Sequence, residues 1–346
     1  MSTYFITIGL VGFFCLGQRT NNNKIKKFSF IMCILILILI AGLRYQVGRD
    51  YSAYASGFYD YAHTPISILN QPGIVIVARI ANLIYPDYAT WFFIMSMLTV
   101  LTAFIVIKKY SVDIPSSIML YVFLGCWHFS FNLVKQCAAS GILLLGFSFL
   151  SKRKLAKWVI ICIIASSFHV TALLMIPVYF LMNGQMNRKK LIIFAVIGII
   201  VMFGYDYLFS IANMIKMGRG IISLSSDTRN SSVNILRVIV NCSPSLLFIL
   251  YKKIYDYEND EFRMLSNMSA FNTVLNIAAM NSIYLTRFCI YTNAFNIFFI
   301  PSLLKPLKRD NRLSWKTIIY ILYFVFWAYD LYKGSTTVVF HWIFER

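Results

Sequence analysis

Phe28-Ser29-Phe30-Ile31-Met32-Cys33-Ile34-Leu35-Ile36-Leu37-Ile38-Leu39-Ile40-Ala41-Gly42-Leu43 is an apolar run. Arg44-Tyr45-Gln46-Val47-Gly48-Arg49-Asp50-Tyr51-Ser52-Ala53-Tyr54 follows it directly. The first segment approaches the ~20 apolar residues that cross a bilayer. The second places two arginines, a carboxylate and three tyrosines where that helix leaves the membrane, a costly position for such groups unless they bind something. An anionic, lipid-linked ligand is the expectation.

The rest of the chain repeats the apolar theme. Hydrophobic residues make up 59% of 346 positions, charged residues 13%, and mean hydropathy is +0.69. The expected class is an all-α polytopic membrane protein forming a single integral domain over 1–346. A net charge of +19 raises the question of nucleic acid, but the basic residues sit in short clusters between apolar runs rather than on one soluble face, so nucleic-acid binding is rejected. The seven cysteines lie singly without CxxC or histidine partners at metal-ligand spacing, and read as small core residues.

Six clusters, at 19–27, 108–109, 152–157, 188–190, 252–263 and 305–316, hold 21 of the 32 lysines and arginines. By the positive-inside rule they mark the cytoplasmic face. Residues 2–16 follow no basic leader and precede no evident small-residue cleavage site, so they read as a retained first span. This assignment predicts about ten full spans of ~20 residues. They fall at 3–16, 28–43, 89–107, 115–131, 132–150, 191–209, 234–250, 264–283, 288–304 and 317–331. Two stretches resist a single crossing and are expected to be re-entrant or broken: 73–85, too short, and 158–182, flanked by basic residues on both sides. The second is expected to bend near Ser166-Ser167-Phe168-His169, each arm reaching ~17 Å, the alternative being one ordinary long span with a basic outer loop. External loops are expected near 44–88 and 210–233.

On this topology Arg44, Arg49 and Asp50, then Lys135 and Gln136, then His169, then Arg287 with Tyr291 all fall at one membrane level. Guanidinium forks suit phosphate oxygens, so several of them predict a diphosphate. Tyr51 and Tyr54, with neighbouring amides and hydroxyls, suit sugar rings. His63, His128 and His341 have no charged neighbour at useful spacing and receive no role. No Walker motif, GxSxG, HExxH or DxD is present, and neither a metal nor another cofactor is expected.

The stretch 42–54 resembles the RxxxGxDYxxY opening of the EpsG family of Wzy-type polysaccharide polymerases. Asn132-Leu133-Val134-Lys135-Gln136-Cys137-Ala138-Ala139 is similar to that family's N-x-x-R-Q-x-x-A, Phe168-His169-Val170-Thr171-Ala172 to its F-H-x-S/T-A, and Arg287 to Tyr291 to its R-x-x-x-Y. The resemblance implies a metal-independent glycosyltransferase, for which a GT-C-like architecture is one form. It would lengthen undecaprenyl-diphosphate-linked glycans at the periplasmic face of the bacterial inner membrane. The product would be O-antigen, capsule or exopolysaccharide, with membrane lipids and a chain-length regulator as further partners. Arg44 and Arg287 would hold the diphosphate, assisted by Arg49 and Lys135. Tyr51, Tyr54, Gln136 and Tyr291 would meet sugar. His169 would be the base, with Asp50 as its rival. A lipid-linked oligosaccharide flippase and a membrane acyltransferase are the competing classes. The first should show a two-half repeat, the second a trace of a thioester carrier, and neither is visible.

Overall fold

The computed structural model describes residues 1–214, 234–251, 259–281, 283–333 and 339–346. It is built almost wholly of helices. Helices begin where short polar side chains cap free backbone N–H groups. Asn22 accepts from the amides of Lys24 and Ile25 to start α2 (Asn23–Gly42), after α1 (Ser2–Gly17). Asp87 does the same for α5 (Tyr88–Tyr110) and Asp113 for α6 (Ile114–Phe123). Between α2 and α5 lie α3 (Tyr51–His63) and α4 (Pro72–Ile84), so the expected loop at 44–88 is largely helical.

Onward come α7 (Val134–Leu145), α8 (Phe147–Ser151), α9 (Leu155–Ser166), α10 (Met175–Leu181) and α11 (Arg188–Met214). The chain resumes with α12 (Ile235–Leu250), α13 (Asp260–Ala278), α14 (Ile283–Asn293), α15 (Asn296–Leu304) and α16 (Arg309–Lys333). The expected loop at 210–233 lies, from 215 onward, outside the described residues. So do Lys216, Arg219, Arg229, Lys252 and Lys253.

Among the described residues two helices, α2 and α5, are long and apolar enough to cross a membrane, and seven shorter apolar helices of 10–17 residues accompany them. Many outward-facing side chains are large and apolar, among them Phe13, Phe28, Ile200, Phe203 and Ile321. Such a surface suits lipid better than water. Inside, Trp91, Trp127, Trp158 and Trp327 are fully buried in one continuous core.

The segment 158–182 is broken as expected. Helix α9 ends at Ser166, a 3-10 turn (Val170–Leu174) follows, and α10 folds back. The Trp158 indole N–H donates to the Met175 carbonyl at 3.0 Å. In one straight helix those residues would stand ~25 Å apart, so the two arms must lie side by side. The bend packs on α4, where the Gly73 amide donates to the Ser167 carbonyl at 3.0 Å. A Cβ on Gly73 would come 2.5 Å from Ser167 Oγ. The two unusual elements therefore hold each other.

The 23 residues of α5 span ~34 Å and separate two polar ends. At one end Asp113 gathers Arg19 at 3.2 Å, Lys316 at 2.8 Å and the Ser116 hydroxyl at 2.6 Å. At the other, Arg44 and Tyr45 pair antiparallel with Trp342 and His341, and Ile343 N–H donates to the Leu43 carbonyl at 2.8 Å. Arg346 adds an ion pair to Asp87 and stacks over Tyr88 at 5.4 Å. This second end carries the candidate site.

Candidate active site

Arg44 is only 2% exposed, and its fork points inward. Nε donates to the Val47 carbonyl at 3.2 Å, Nη2 to that of Phe131 at 3.4 Å, and Nη1 to that of Ala41. The Phe92 and Phe131 rings lie 4.7 and 5.0 Å from its guanidinium carbon, a cation–π cage. Burial lowers the Arg44 pKa to about 10, which leaves it cationic at neutral pH. Tyr51 stacks on Phe92 at 4.5 Å and donates its hydroxyl to the Arg44 carbonyl at 3.3 Å. Both side chains are engaged by the protein's own backbone and rings. They form the frame that shapes the loop.

That loop turns on Gly48, whose φ of +113° favours glycine. A Cβ there would come 2.3 Å from the Phe131 carbonyl oxygen. The close approach lets the Arg49 amide donate to Asn132 Oδ1 at 2.5 Å. Gly48 and Asn132 stand inside the motif stretches, yet their spacing alone did not disclose that they dock the two loops together.

Beyond this junction opens a cavity of ≈ 680 Å³. Arg49 and Asp50 line it from the loop, Arg287 from α14, Arg237 from α12, and Asp330 and Lys333 from α16. Asn132, Asn241, Asn276 and Asn293 supply amide groups to the same wall. Four cations and four carboxamides thus face a single space, a combination able to neutralise phosphate oxygens and to exchange hydrogen bonds with hydroxyls. Behind the wall Asn241 donates to Asn276 at 2.9 Å, and Asn272 accepts from Thr292 at 2.8 Å.

The other expected residues stand beside the cavity rather than along it. His169 Nδ1 lies 2.7 Å from Thr171 Oγ1 and 3.1 Å from the Tyr291 hydroxyl, and Thr171 and Tyr291 close the triangle at 2.8 Å. Tyr291 is fully buried within this triangle. Lys135 Nζ donates to the Tyr61 hydroxyl at 2.6 Å, 4.3 Å from that ring's centre and 5.8 Å from the Tyr54 ring. Gln136 Nε2 donates to the Arg287 carbonyl at 2.7 Å and so ties this layer to the cavity. Tyr54 leans on Trp91 at 5.8 Å.

His128 corrects the expectation that it has no charged partner. Its Nε2 lies 3.6 Å from Asp330 Oδ2, and Arg237 pairs with Asp330 Oδ1. Both His128 and Asp330 line the cavity. They are 202 positions apart, so no local spacing could reveal the pair. A usable signal was Asp330 itself, a carboxylate in an apolar helix, which is costly there without a partner. His341 likewise meets Glu345, at 3.0 Å. Among the described residues no three His, Cys, Asp or Glu side chains form a metal-holding group.

No curated protein and no solved structure matches the chain. A family model does, over residues 27–342. That span takes in the Arg44 loop, every cavity residue named above and the closing strand, and with it this membrane protein belongs to the EpsG family.

Proposed function

We propose that the protein joins undecaprenyl-diphosphate-linked oligosaccharide repeat units into a surface polysaccharide, O-antigen, capsule or exopolysaccharide. Its family is one of Wzy-like polymerases, with lipid-linked glycans as the implied substrates. The observation that carries the reading is the cavity, where Arg49, Arg237, Arg287 and Lys333 share one wall with four asparagines. Of these cations, Arg49 and Arg287 would hold a diphosphate and stabilise the charge it gains on leaving. The asparagines would position sugar hydroxyls.

In this reading the acceptor hydroxyl oxygen attacks the anomeric carbon of the growing chain. The carbon–oxygen bond to the diphosphate breaks, and its electron pair leaves with the phosphate. Arg49 and Arg287 take the diphosphate role, while Arg44, Lys135, Gln136 and Tyr51 position the loops that carry them. Of the two expected bases, Asp50 lines the cavity, whereas His169 is engaged by Thr171 and Tyr291 beside it. About ten crossings of the inner membrane, with the Arg44 end outward, complete the proposal.

The test is a deletion strain complemented with wild type or Arg287→Ala, with membrane insertion checked and the glycan ladder resolved. Wild type restores long chains and Arg287→Ala leaves mainly single repeats on lipid. A deletion strain with a normal ladder would end the proposal.

A further inference from the structure

Asp330 offers its two oxygens to different neighbours. Oδ1 is held by Arg237 from α12, and Oδ2 faces His128 Nε2 across 3.6 Å. That separation is too long for a direct hydrogen bond. Both residues line the cavity, so a hydroxyl that enters it can reach either side chain. His128 is only 5% exposed, and its Nδ1 has no partner, nor does the buried Arg237 Nε. Buried polar atoms left open in a cavity wall are expected to gain partners when the cavity fills.

We infer that Asp330 is the catalytic base for the acceptor sugar, with His128 and Arg237 fixing its orientation. This inference rests on the polymerase reading above. The acceptor hydroxyl approaches from the cavity and donates to Oδ2 beside His128. As its oxygen bonds to the anomeric carbon, its proton passes to Asp330 Oδ2 and the donor diphosphate departs with the bonding electrons. Arg237 holds Oδ1 and so aims the carboxylate before the step. Asp50, next to Arg49 on the loop, then belongs with the diphosphate-binding cations rather than with the acceptor. The arrangement also divides the cavity by ligand. Arg49 and Arg287 serve the leaving group, and the α16 side, with Asn241 and Asn276 nearby, serves the incoming sugar.

The experiment uses the full-length protein in lipid nanodiscs and lipid-linked repeat units extracted from the deletion strain. Initial rates of polymer formation give kcat and KM for wild type, Asp330→Asn, Asp330→Glu and Asp50→Asn, with melting temperatures alongside. Loss of a general base costs about 10²–10⁴-fold in rate. Asp330→Asn is therefore expected to lower kcat by at least 100-fold while KM stays within threefold. Asp50→Asn should chiefly raise KM. Asp330→Glu keeps the charge but displaces the carboxylate by a methylene. It carries the test if the asparagine variant does not fold, with an expected kcat loss of at least tenfold.

A folded Asp330→Asn or Asp330→Glu protein with kcat within threefold of wild type overturns the inference. So does a loss expressed only in KM. Wild type that makes no polymer from this substrate overturns the polymerase reading and, with it, the role of Asp330. Wild-type activity combined with an unaffected Asp330 variant leaves that reading standing and removes the base alone.

Discussion

Replacing Gly48 by alanine tests whether the contact between two loops sets the geometry of the cavity. The new Cβ would lie 2.3 Å from the Phe131 oxygen, 3.0 Å from its carbonyl carbon and 3.2 Å from Asn132 Oδ1. A carbon and an oxygen rest at about 3.3 Å or more when not bonded, so the loop must retreat by ~1 Å. Standing still would cost about 1–3 kcal/mol for the φ of +113° and about 1–3 kcal/mol for overpacking. Retreat is the cheaper route, since Arg49 is exposed and its side of the loop can move. That movement stretches the Arg49 amide bond to Asn132 and the Arg44 bond to Phe131. It also carries Arg49 and Asp50 away from Arg287. A ~1 Å misplacement costs on the order of 10²-fold in rate. The expected variant folds, melts within a few degrees of wild type, and forms polymer ~100-fold more slowly in the nanodisc assay. A Gly48→Ala protein with polymer formation within threefold of wild type would refute the claim that this junction positions the cations.

Other consequences lie away from the cavity. Lys316, Ser116 and Arg19 outweigh burial and hold the Asp113 carboxyl at about 2. Its contribution is therefore complete above the ordinary carboxylate pKa of about 3.9 and is lost as pH falls through about 2, about 1 kcal/mol after solvent screening of this partly exposed cluster. Melting curves from pH 6 to 2 should show this loss in wild type and a flattened response in Asp113→Asn. Trp158→Phe removes the donor to the Met175 carbonyl and should destabilise the folded hairpin by about 1–3 kcal/mol; an unchanged melting temperature would contradict the hairpin's dependence on that bond. Tyr61→Phe removes the acceptor at 2.6 Å from Lys135, and a several-fold fall in polymer formation with unaltered melting is the expected result.

Much of the fold was legible because apolar runs and polar interruptions are local signals. The break at Ser166 to His169, the short helix at 72–84 and the loop opening at Arg44 all appear where the hydropathy pattern changes. The cavity was only half legible. Arg49, Asp50 and Arg287 stood out as charged groups at the ends of apolar runs. Arg237 appeared only as one of the basic residues outside the inner clusters, and Asp330 and His128 acquire meaning through one another. Three distant segments must meet before the set exists, and hydropathy has no term for which helix faces which. Burial was equally invisible. Tyr51 and Tyr291 carry the same hydroxyl as an exposed tyrosine, yet they are 3% and 0% exposed.

Arg44 shows why a motif residue at a membrane edge need not touch the ligand. The chain leaves α2 and must turn back on itself within a few residues, which aims the carbonyls of Ala41, Val47 and Phe131 at one buried point. Satisfying carbonyls from three places calls for several donors in a fixed plane. A guanidinium supplies five, and an ammonium cannot spread its three over the same fan. Burying the charge carries a cost of several kcal/mol, which the carbonyl dipoles and the Phe92 and Phe131 faces offset. An apolar residue would avoid that cost but leave carbonyls open, at about 1–3 kcal/mol each. Arginine is thus the side chain that makes the turn stable, and the turn presents Arg49 and Asp50 to the cavity. Three of its five donors hold those carbonyls, so a phosphate at Arg44 would meet at most the two that remain, while the platform on which its neighbours act stays in place.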